Sequence, residues 1–194
     1  MKIIAMSVAY ERPIAMRILM DSFLVQTNPN WELTMLHDGW ASDDVWRTVE
    51  LYDDPRIKYL QSEERNQQYG HPNRKKFLED LDPDPLTYIL LTNDDNYYVP
   101  VMVQKVLDVI NPNVGFVYWD TVHSHFDYDV LKSHIRVDRI DIGSFVVRAD
   151  VAKTIGFNNF SLNGDGYYAE ECAAYCIDHK LSIEYIPKVL LVHN

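Results

Sequence analysis

A strongly apolar run at residues 88–92, Tyr-Ile-Leu-Leu-Thr, constrains the fold of this chain more than any other segment. It predicts a buried strand, and Asp94 and Asp95 follow almost directly after it. In open α/β sheets ligands bind beyond the carboxyl ends of strands, and two adjacent carboxylates repel each other there unless a cation lies between them. Hard oxygen ligands suit Mg²⁺ or Mn²⁺. The pair therefore predicts a divalent-cation site at a sheet edge, and a plain Asx turn is the alternative interpretation.

Predicted strands and helices alternate along the first half of the chain. The strands lie at residues 2–8, 32–37 and 57–60, and the helices at residues 13–26, 42–52 and 74–81. The second half has strands at 114–119, 142–148 and 182–186 and helices at 150–155 and 167–179. This order is typical of βαβ units, so we expect an α/β fold: a single domain over residues 1–194, with a mixed, mostly parallel central sheet flanked by helices. The abrupt end leaves open that this domain belongs to a longer protein.

Acidic residues outnumber basic ones, and the formal net charge is −11. A nucleic-acid-binding surface needs Lys and Arg to neutralise phosphates, so we expect no nucleic-acid partner. A nucleotide ligand stays compatible with this charge because a bound metal ion supplies positive charge locally.

The cysteines and the amino terminus indicate the compartment. Cys172 and Cys176 are the only cysteines, and their spacing puts them one turn apart on a predicted helix, as small core residues. The apolar run at the amino terminus is too short to span a membrane and lacks a signal-cleavage pattern. We therefore expect a cytoplasmic protein in a reduced compartment, with no transmembrane segment.

Five stretches in fixed order extend the interpretation beyond the acidic pair. They are residues 8–13 (VAYERP), 22–33 (SFLVQTNPNWEL), 37–39 (HDG), 70–74 (GHPNR) and 92–100 (TNDDNYYVP). Together they resemble the GT-A fold glycosyltransferases of glycosyltransferase family 2, especially the spore-coat polysaccharide synthesis type. The resemblance implies an enzyme of polysaccharide biosynthesis that transfers a sugar, with inversion, from a nucleotide-diphosphate donor to a glycan or other hydroxyl acceptor. It also implies Mn²⁺ or Mg²⁺ as cofactor, a UDP-sugar ahead of dTDP- or GDP-sugars, and donor and acceptor sites in the N-terminal and C-terminal halves.

By this resemblance the nucleotide-binding residues are Val8, Tyr10, Asp38, Arg74 and Asp94. Tyr10 would stack on the base, and Asp38 would accept a hydrogen bond from its edge. Arg74 would reach the diphosphate or the base, and Asp94 the ribose or a metal-bound water. Without the resemblance, Tyr10 is a half-buried aromatic, Asp38 a turn aspartate and Arg74 a solvated helix arginine.

The resemblance assigns the metal to Asp95 and His193. Asn93 stands where a strict Asp-X-Asp motif has its first aspartate, although the spore-coat type also reads Asp-Asp-Asn here. His193 follows an apolar run near the point where many GT-A enzymes have a metal-binding histidine, and neutral imidazole suits Mn²⁺. A surface histidine is the alternative.

An inverting transfer needs a base for the acceptor hydroxyl, and a carboxylate is the usual solution. Asp165 lies between two glycines at a predicted helix start and resembles the family's base. Glu170 and Glu171 are the alternative bases. An N-cap aspartate is the structural alternative for Asp165.

Residues 121–139 lack periodicity and are expected to form an acceptor-side loop. The loop carries His123, His125 and His134, but spacing alone does not establish a metal site. Trp119 can stack on a sugar ring, although core packing is the simpler interpretation.

A non-catalytic nucleotide-sugar or glycan-binding module is the second hypothesis, because such a protein would keep Asp38 and Asp95 without a working base. Sugar-phosphate nucleotidyltransferases and dinucleotide-dependent oxidoreductases need a glycine-rich loop after the first strand. Residues 8–13 contain no glycine, which argues against both classes.

Overall fold

The computed structural model describes all 194 residues and contains one nine-stranded sheet. In chain order the strands are β1 (Lys2–Ala9), β2 (Trp31–His37), β3 (Ile57–Gln61), β4 (Thr87–Asn93), β5 (Tyr97–Tyr98), β6 (Val114–His123), β7 (Val130–Leu131), β8 (Phe145–Arg148) and β9 (Ser182–His193). Their order in the sheet is β3-β2-β1-β4-β8-β6-β9-β5, and β7 pairs with β6. The pairs β1/β2, β1/β4, β2/β3 and β6/β9 are parallel, and the other pairs are antiparallel. The expected α/β fold with a mixed sheet is confirmed.

Six α-helices cover the two faces of this sheet. They are α1 (Pro13–Leu24), α2 (Asp43–Val49), α3 (His71–Glu79), α4 (Met102–Leu107), α5 (Ala149–Ile155) and α6 (Gly164–Asp178). Short 3₁₀ segments lie at Gln68–Gly70, Ser124–Phe126 and Ile142–Ser144. Side chains of α1, α2 and α4 join one buried hydrophobic cluster, and those of α3, α5 and α6 join a second. The sheet is therefore buried between two apolar layers.

Strand β4 contributes to both layers. Tyr88 and Leu90 pack into the first cluster, whereas Ile89 and Leu91 pack into the second. Successive side chains of a strand point to opposite faces, so an unbroken apolar run is what a strand covered on both sides requires. The strand ends beside the end of β1, which places the following acidic pair at the carboxyl edge of the parallel strands.

Strand β9 is longer than the sequence predicted. The predicted strand, residues 182–186, stopped before Pro187, but the observed strand continues to His193. The register between β6 and β9 shifts immediately after Ile186, and such an irregularity accommodates a proline that cannot donate to the ladder. The extension brings His193 opposite His123 on β6.

Other boundaries also differ from the sequence expectation. Helix α6 begins at Gly164 rather than 167, so Asn163 is the N-cap residue and Asp165 lies in the first turn. The predicted strand 142–148 starts with a 3₁₀ turn because Asp141 caps Ile142–Ser144. Part of the expected loop 121–139 is the end of β6 and the short β7. The short elements α4 and β5 carry no sequence signal that predicted them.

The core assignments made from the sequence agree with the structure. Cys172 and Cys176 are free, buried residues of α6, and Trp119 is fully buried. Among the helices, none combines the length and the apolar composition that crossing a membrane requires.

Candidate functional site

A cleft of about 550 Å³ lies at the carboxyl ends of the first parallel strands. It collects most of the residues that the sequence singled out: Val8, Tyr10, Asp38, Asp94, Asp95 and His193. Arg74 and Asp165 do not line it. The parallel strands β1, β2 and β4 end side by side, so chain segments far apart in sequence meet here.

The acidic pair is held by an arginine that the sequence did not single out. Nη1 of Arg12 lies 3.1 Å from Oδ1 of Asp94, and Nη2 lies 2.5 Å from Oδ2 of Asp95. The second oxygen of each carboxylate, Oδ2 of Asp94 and Oδ1 of Asp95, is buried without a hydrogen-bond partner. Burial raises the pKa of Asp94 to about 7, with Arg12 opposing the rise and Asp95 adding to it. The pair therefore favours an additional cation.

The two orphaned carboxylate oxygens fit a divalent ion. Both are hard oxygen ligands of carboxylates that line the cleft, and Mg²⁺ is commonly bound by one or two carboxylates together with phosphate oxygens. No group of three or more His, Cys, Asp or Glu side chains forms a ready metal cage. The residues present suit a metal that completes its coordination with ligand oxygens and water.

His193 faces this cleft from the end of β9. Its Nδ1 lies 2.9 Å from Oδ1 of Asn96 and 3.4 Å from Oδ2 of Asp141. With Nδ1–H donating to Asn96, Nε2 keeps the lone pair that a metal requires. His123 packs its ring centroid 4.2 Å from that of His193, and His125 lines the cleft. Metal ligation by His193 stays a prediction.

Asp38 anchors the loop that forms one wall of the cleft. Its carboxylate accepts hydrogen bonds from the backbone N–H groups of Asn66 and Gln67 and from Nδ2 of Asn73, each at 2.8 Å. A carboxylate has about four acceptor sites, so one remains for a ligand. Asp38 therefore has a loop-organising role that the sequence did not predict, and its contact with a base stays a prediction.

Arg74 is fully buried beneath the same loop and is not a solvated helix arginine. Its guanidinium donates to the carbonyl of Tyr69 at 2.6 Å, to the carbonyl of Thr92 at 3.1 Å and to Oδ1 of Asn93 at 2.7 Å. Burial lowers its pKa to about 10, and Asp165 is the strongest of the opposing charges. Arg74 thus joins the loop to the end of β4, and direct contact with a nucleotide stays a prediction.

The wall of the cleft is a strained turn. Gln67, Gln68 and Tyr69 have φ values of 57°, 46° and 59°, and Gly70 follows with φ 77°. Left-handed conformations at non-glycine residues cost of order 1–3 kcal/mol each and persist only where the surroundings enforce them. The hydrogen bonds from this loop to Asp38 and from Arg74 to Tyr69 supply that enforcement.

We expect Gly70→Ala to destabilise the protein by about 1–3 kcal/mol in chemical denaturation. The residue has a positive φ, and a Cβ there would lie 2.7 Å from Cγ1 of Val8. If the close approach contributes, Val8→Ala should relieve part of the cost, so the double variant should lose less stability than the two single losses added. Strict additivity would contradict the packing argument.

Tyr10 is covered on one ring face. The guanidinium carbon of Arg65 lies 3.5 Å from its ring centroid, and His37 packs with its ring centroid 5.6 Å away. A nucleotide base can stack on Tyr10 only on the ring face that Arg65 leaves uncovered, or after Arg65 moves. Arg65 lies in a polar loop without periodicity, so no sequence signal marked it.

The candidate catalytic base, Asp165, lies outside the cleft, in the first turn of α6. Oδ1 of Asp165 accepts a hydrogen bond from Gly166 N at 2.8 Å. Burial raises the pKa of Asp165 to about 6, and Asp141 adds to the rise. A carboxylate with a pKa near neutrality is suited to accepting a proton. Asp141, which the sequence did not single out, also lies 3.4 Å from Nδ1 of His193 and so is near both His193 and Asp165.

The alternative bases have different environments. Oε1 of Glu170 accepts a hydrogen bond from Val137 N at 2.8 Å, so this oxygen already has a partner. Glu171 is exposed on α6. These observations favour Asp165, and its role stays a prediction.

Neither a protein-family model nor a curated protein matches the sequence. Solved structures do resemble the fold. TarS 1–349 of S. aureus superimposes with a TM-score of 0.75 at 13% identity, over 100% of this chain and 60% of that one. Its complex with UDP-GlcNAc gives 0.76 at 15% identity, over 99% and 58%. The mannosyltransferase PcManGT from Pyrobaculum calidifontis, in complex with GDP-Man and Mn²⁺, gives 0.69 at 14%, over 99% and 56%.

This chain therefore has a GT-A-like glycosyltransferase fold. It spans 60% or less of the length of these three structures.

Proposed function

We propose that the chain is a metal-dependent glycosyltransferase that moves a sugar from a nucleotide-diphosphate donor to a hydroxyl acceptor, with inversion. One observation carries the proposal. In a fold shared with TarS and PcManGT, Asp94 and Asp95 line a cleft together with Asp38 and Tyr10, and each carboxylate of the pair keeps one buried oxygen without a hydrogen-bond partner. A UDP-sugar is the first donor to test, because TarS was solved with UDP-GlcNAc. The motifs of the sequence favour a family 2 enzyme of the spore-coat type, with a glycan as acceptor.

The N-terminal half holds the donor in this proposal. Tyr10 and Asp38 contact the base, and Val8 lies beneath it at the end of β1. Asp95 and His193 would hold Mn²⁺ or Mg²⁺, with Asp94 on a metal-bound water or the ribose. When bound, the metal neutralises charge on the leaving diphosphate.

The C-terminal half holds the acceptor and the base. Asp165 takes the proton from the acceptor hydroxyl as its oxygen attacks the anomeric carbon. The new glycosidic bond forms as the bond to the diphosphate breaks, and the nucleotide diphosphate leaves. Asp141 raises the proton affinity of Asp165, because a second carboxylate nearby disfavours ionisation.

A second candidate is a nucleotide-sugar-binding module without catalysis. One observation favours it: Asp165 does not line the cleft that contains the acidic pair. Such a protein would bind nucleotide and metal without turnover.

A donor-release assay separates these two functions. The wild-type chain is incubated in Mn²⁺ with one donor at a time: UDP-GlcNAc, UDP-glucose, dTDP-glucose or GDP-mannose. Each donor is tested with a panel of sugar acceptors and with water alone. We expect release of nucleotide diphosphate from one donor class, and none in EDTA. Binding without release from any donor would support the module, and equal release in EDTA would contradict metal dependence.

The pH dependence of transfer should report Asp165. Its carboxylate is active as a base only when ionised, so kcat/KM should rise with pH and reach half of its plateau near the pKa of about 6. Saturating Mn²⁺ isolates this limb, because a bound cation lowers the raised pKa of Asp94. A profile that is flat between about pH 5 and 8 would contradict the assignment of the base.

A further inference from the structure

The guanidinium of Arg12 is paired with the acidic pair at the proposed donor site. The residue precedes α1 as its N-cap, and its side chain is 51% exposed. The guanidinium bridges both members of the acidic pair, at 3.1 Å from Asp94 and 2.5 Å from Asp95. It therefore supplies positive charge at Asp95, which the proposed function assigns to the metal, and at Asp94 beside it.

A cation at the two orphaned oxygens would lie close to this guanidinium. Arg12 pairs with one oxygen of each carboxylate, and the two oxygens without a partner are the other oxygens of the same two carboxylates. Two cations that share two carboxylates repel each other, and the incoming metal carries the greater charge. The half-exposed arginine has room to move, whereas Asp94 is buried.

The cleft offers few other groups for a diphosphate. Arg12 and Arg65 are the only lysine or arginine residues that line it, and Arg65 is stacked on Tyr10. A guanidinium presents paired N–H donors that match phosphate oxygens as well as carboxylate oxygens. Arg12 therefore has a second partner of the same geometry when a donor enters.

We propose that Arg12 is a diphosphate-binding residue: it pairs with Asp94 and Asp95 when the cleft is empty and transfers its guanidinium to the donor's phosphate oxygens when the metal binds. This inference rests on the proposed function. It distinguishes Arg12 from a fixed clamp that orients the carboxylates for the metal. The two roles predict opposite effects of removing the guanidinium on metal binding.

The test compares Arg12→Gln with Arg17→Gln, which removes the same charge from an exposed position on α1. Binding of Mn²⁺ alone is measured first. UDP and UMP, with GDP and GMP alongside, are then titrated at saturating Mn²⁺. We expect Arg12→Gln to bind Mn²⁺ alone about 3–10-fold more tightly, because a competing cation is gone. Its affinity for the diphosphate should be about 10-fold weaker than that of wild type, and its affinity for the monophosphate should equal that of wild type. Arg12→Lys should lie between the glutamine variant and wild type, and Arg17→Gln should match wild type.

Weaker or unchanged Mn²⁺ binding by Arg12→Gln would overturn the inference, as would an equal loss for diphosphate and monophosphate. Thermal melts of each variant confirm folding. The proposed function fails separately, when wild type binds no nucleotide diphosphate in the presence of Mn²⁺. If wild type binds the diphosphate and Arg12→Gln binds it with the same affinity, only the proposed role of Arg12 is contradicted.

Discussion

Asp165→Asn is expected to lower sugar transfer by roughly 10²–10⁴-fold while donor binding stays close to that of wild type. The asparagine keeps the oxygen that accepts the hydrogen bond from Gly166 N but cannot take a proton from the acceptor. Donor binding should persist because Asp165 lies outside the cleft. Initial rates with saturating donor, and separate titrations of the nucleotide, measure the two effects.

The same substitution is expected to stabilise the protein at high pH. The folded-state pKa of about 6 is above the ordinary value of 3.8, so ionisation of Asp165 costs folding free energy as pH rises through the folded pKa. Because asparagine never ionises, the variant should be more stable than wild type by about 1–3 kcal/mol at pH 8, and the difference should vanish near pH 4. Urea denaturation at both values measures it.

Asp178→Asn is the matched control, because it removes an exposed carboxylate at the end of the same helix. It should transfer sugar like wild type at every pH. If Asp165→Asn kept full activity and either Glu170→Gln or Glu171→Gln were inactive, the catalytic base would be that glutamate and not Asp165.

Asp95→Asn is expected to abolish metal-dependent nucleotide binding and, with it, transfer. The variant loses the charge of a carboxylate that lines the cleft and has one unpartnered oxygen, and neutral amides are poor substitutes for a carboxylate at a divalent ion. The loss of metal affinity should exceed the roughly 10–100-fold that changes to outer-shell partners cause. Titration of Mn²⁺ and of the nucleotide diphosphate measures both parts.

Asp82→Asn provides the control for this prediction, since Asp82 is exposed and precedes the opposite end of β4. The control should bind metal and nucleotide like wild type. Unchanged metal-dependent binding by Asp95→Asn would show that the acidic pair does not hold the cation.

The sequence was sufficient for the centre of the fold because local patterns determine it. Residues 88–91 are hydrophobic without a break, and a strand covered on both faces buries all four of them. A strand of this kind places Asp94 and Asp95 at a known edge of the sheet, so the acidic site followed from the same pattern. Cys172 and Cys176 were placed in the core by their helical spacing.

Residues that act through long-range contacts were not predictable in the same way. Arg12, Arg65 and Asp141 lie in loops or turns, and their partners are distant in sequence: Asp95 is 83 residues from Arg12. Arg74 was identified from its motif, but its burial and its bonds to Tyr69 depend on tertiary packing. The extension of β9 past Pro187 was missed because a bulge, which has no local signature, accommodates the proline.

Calorimetric titration of UDP, GDP and dTDP into the wild-type chain, in Mn²⁺ and again in EDTA, tests the central claim most directly. A donor site at the acidic pair predicts that at least one of these diphosphates binds in Mn²⁺ and that its binding disappears in EDTA. Absence of binding by all three in Mn²⁺ would contradict the assignment of this cleft to a nucleotide-sugar donor.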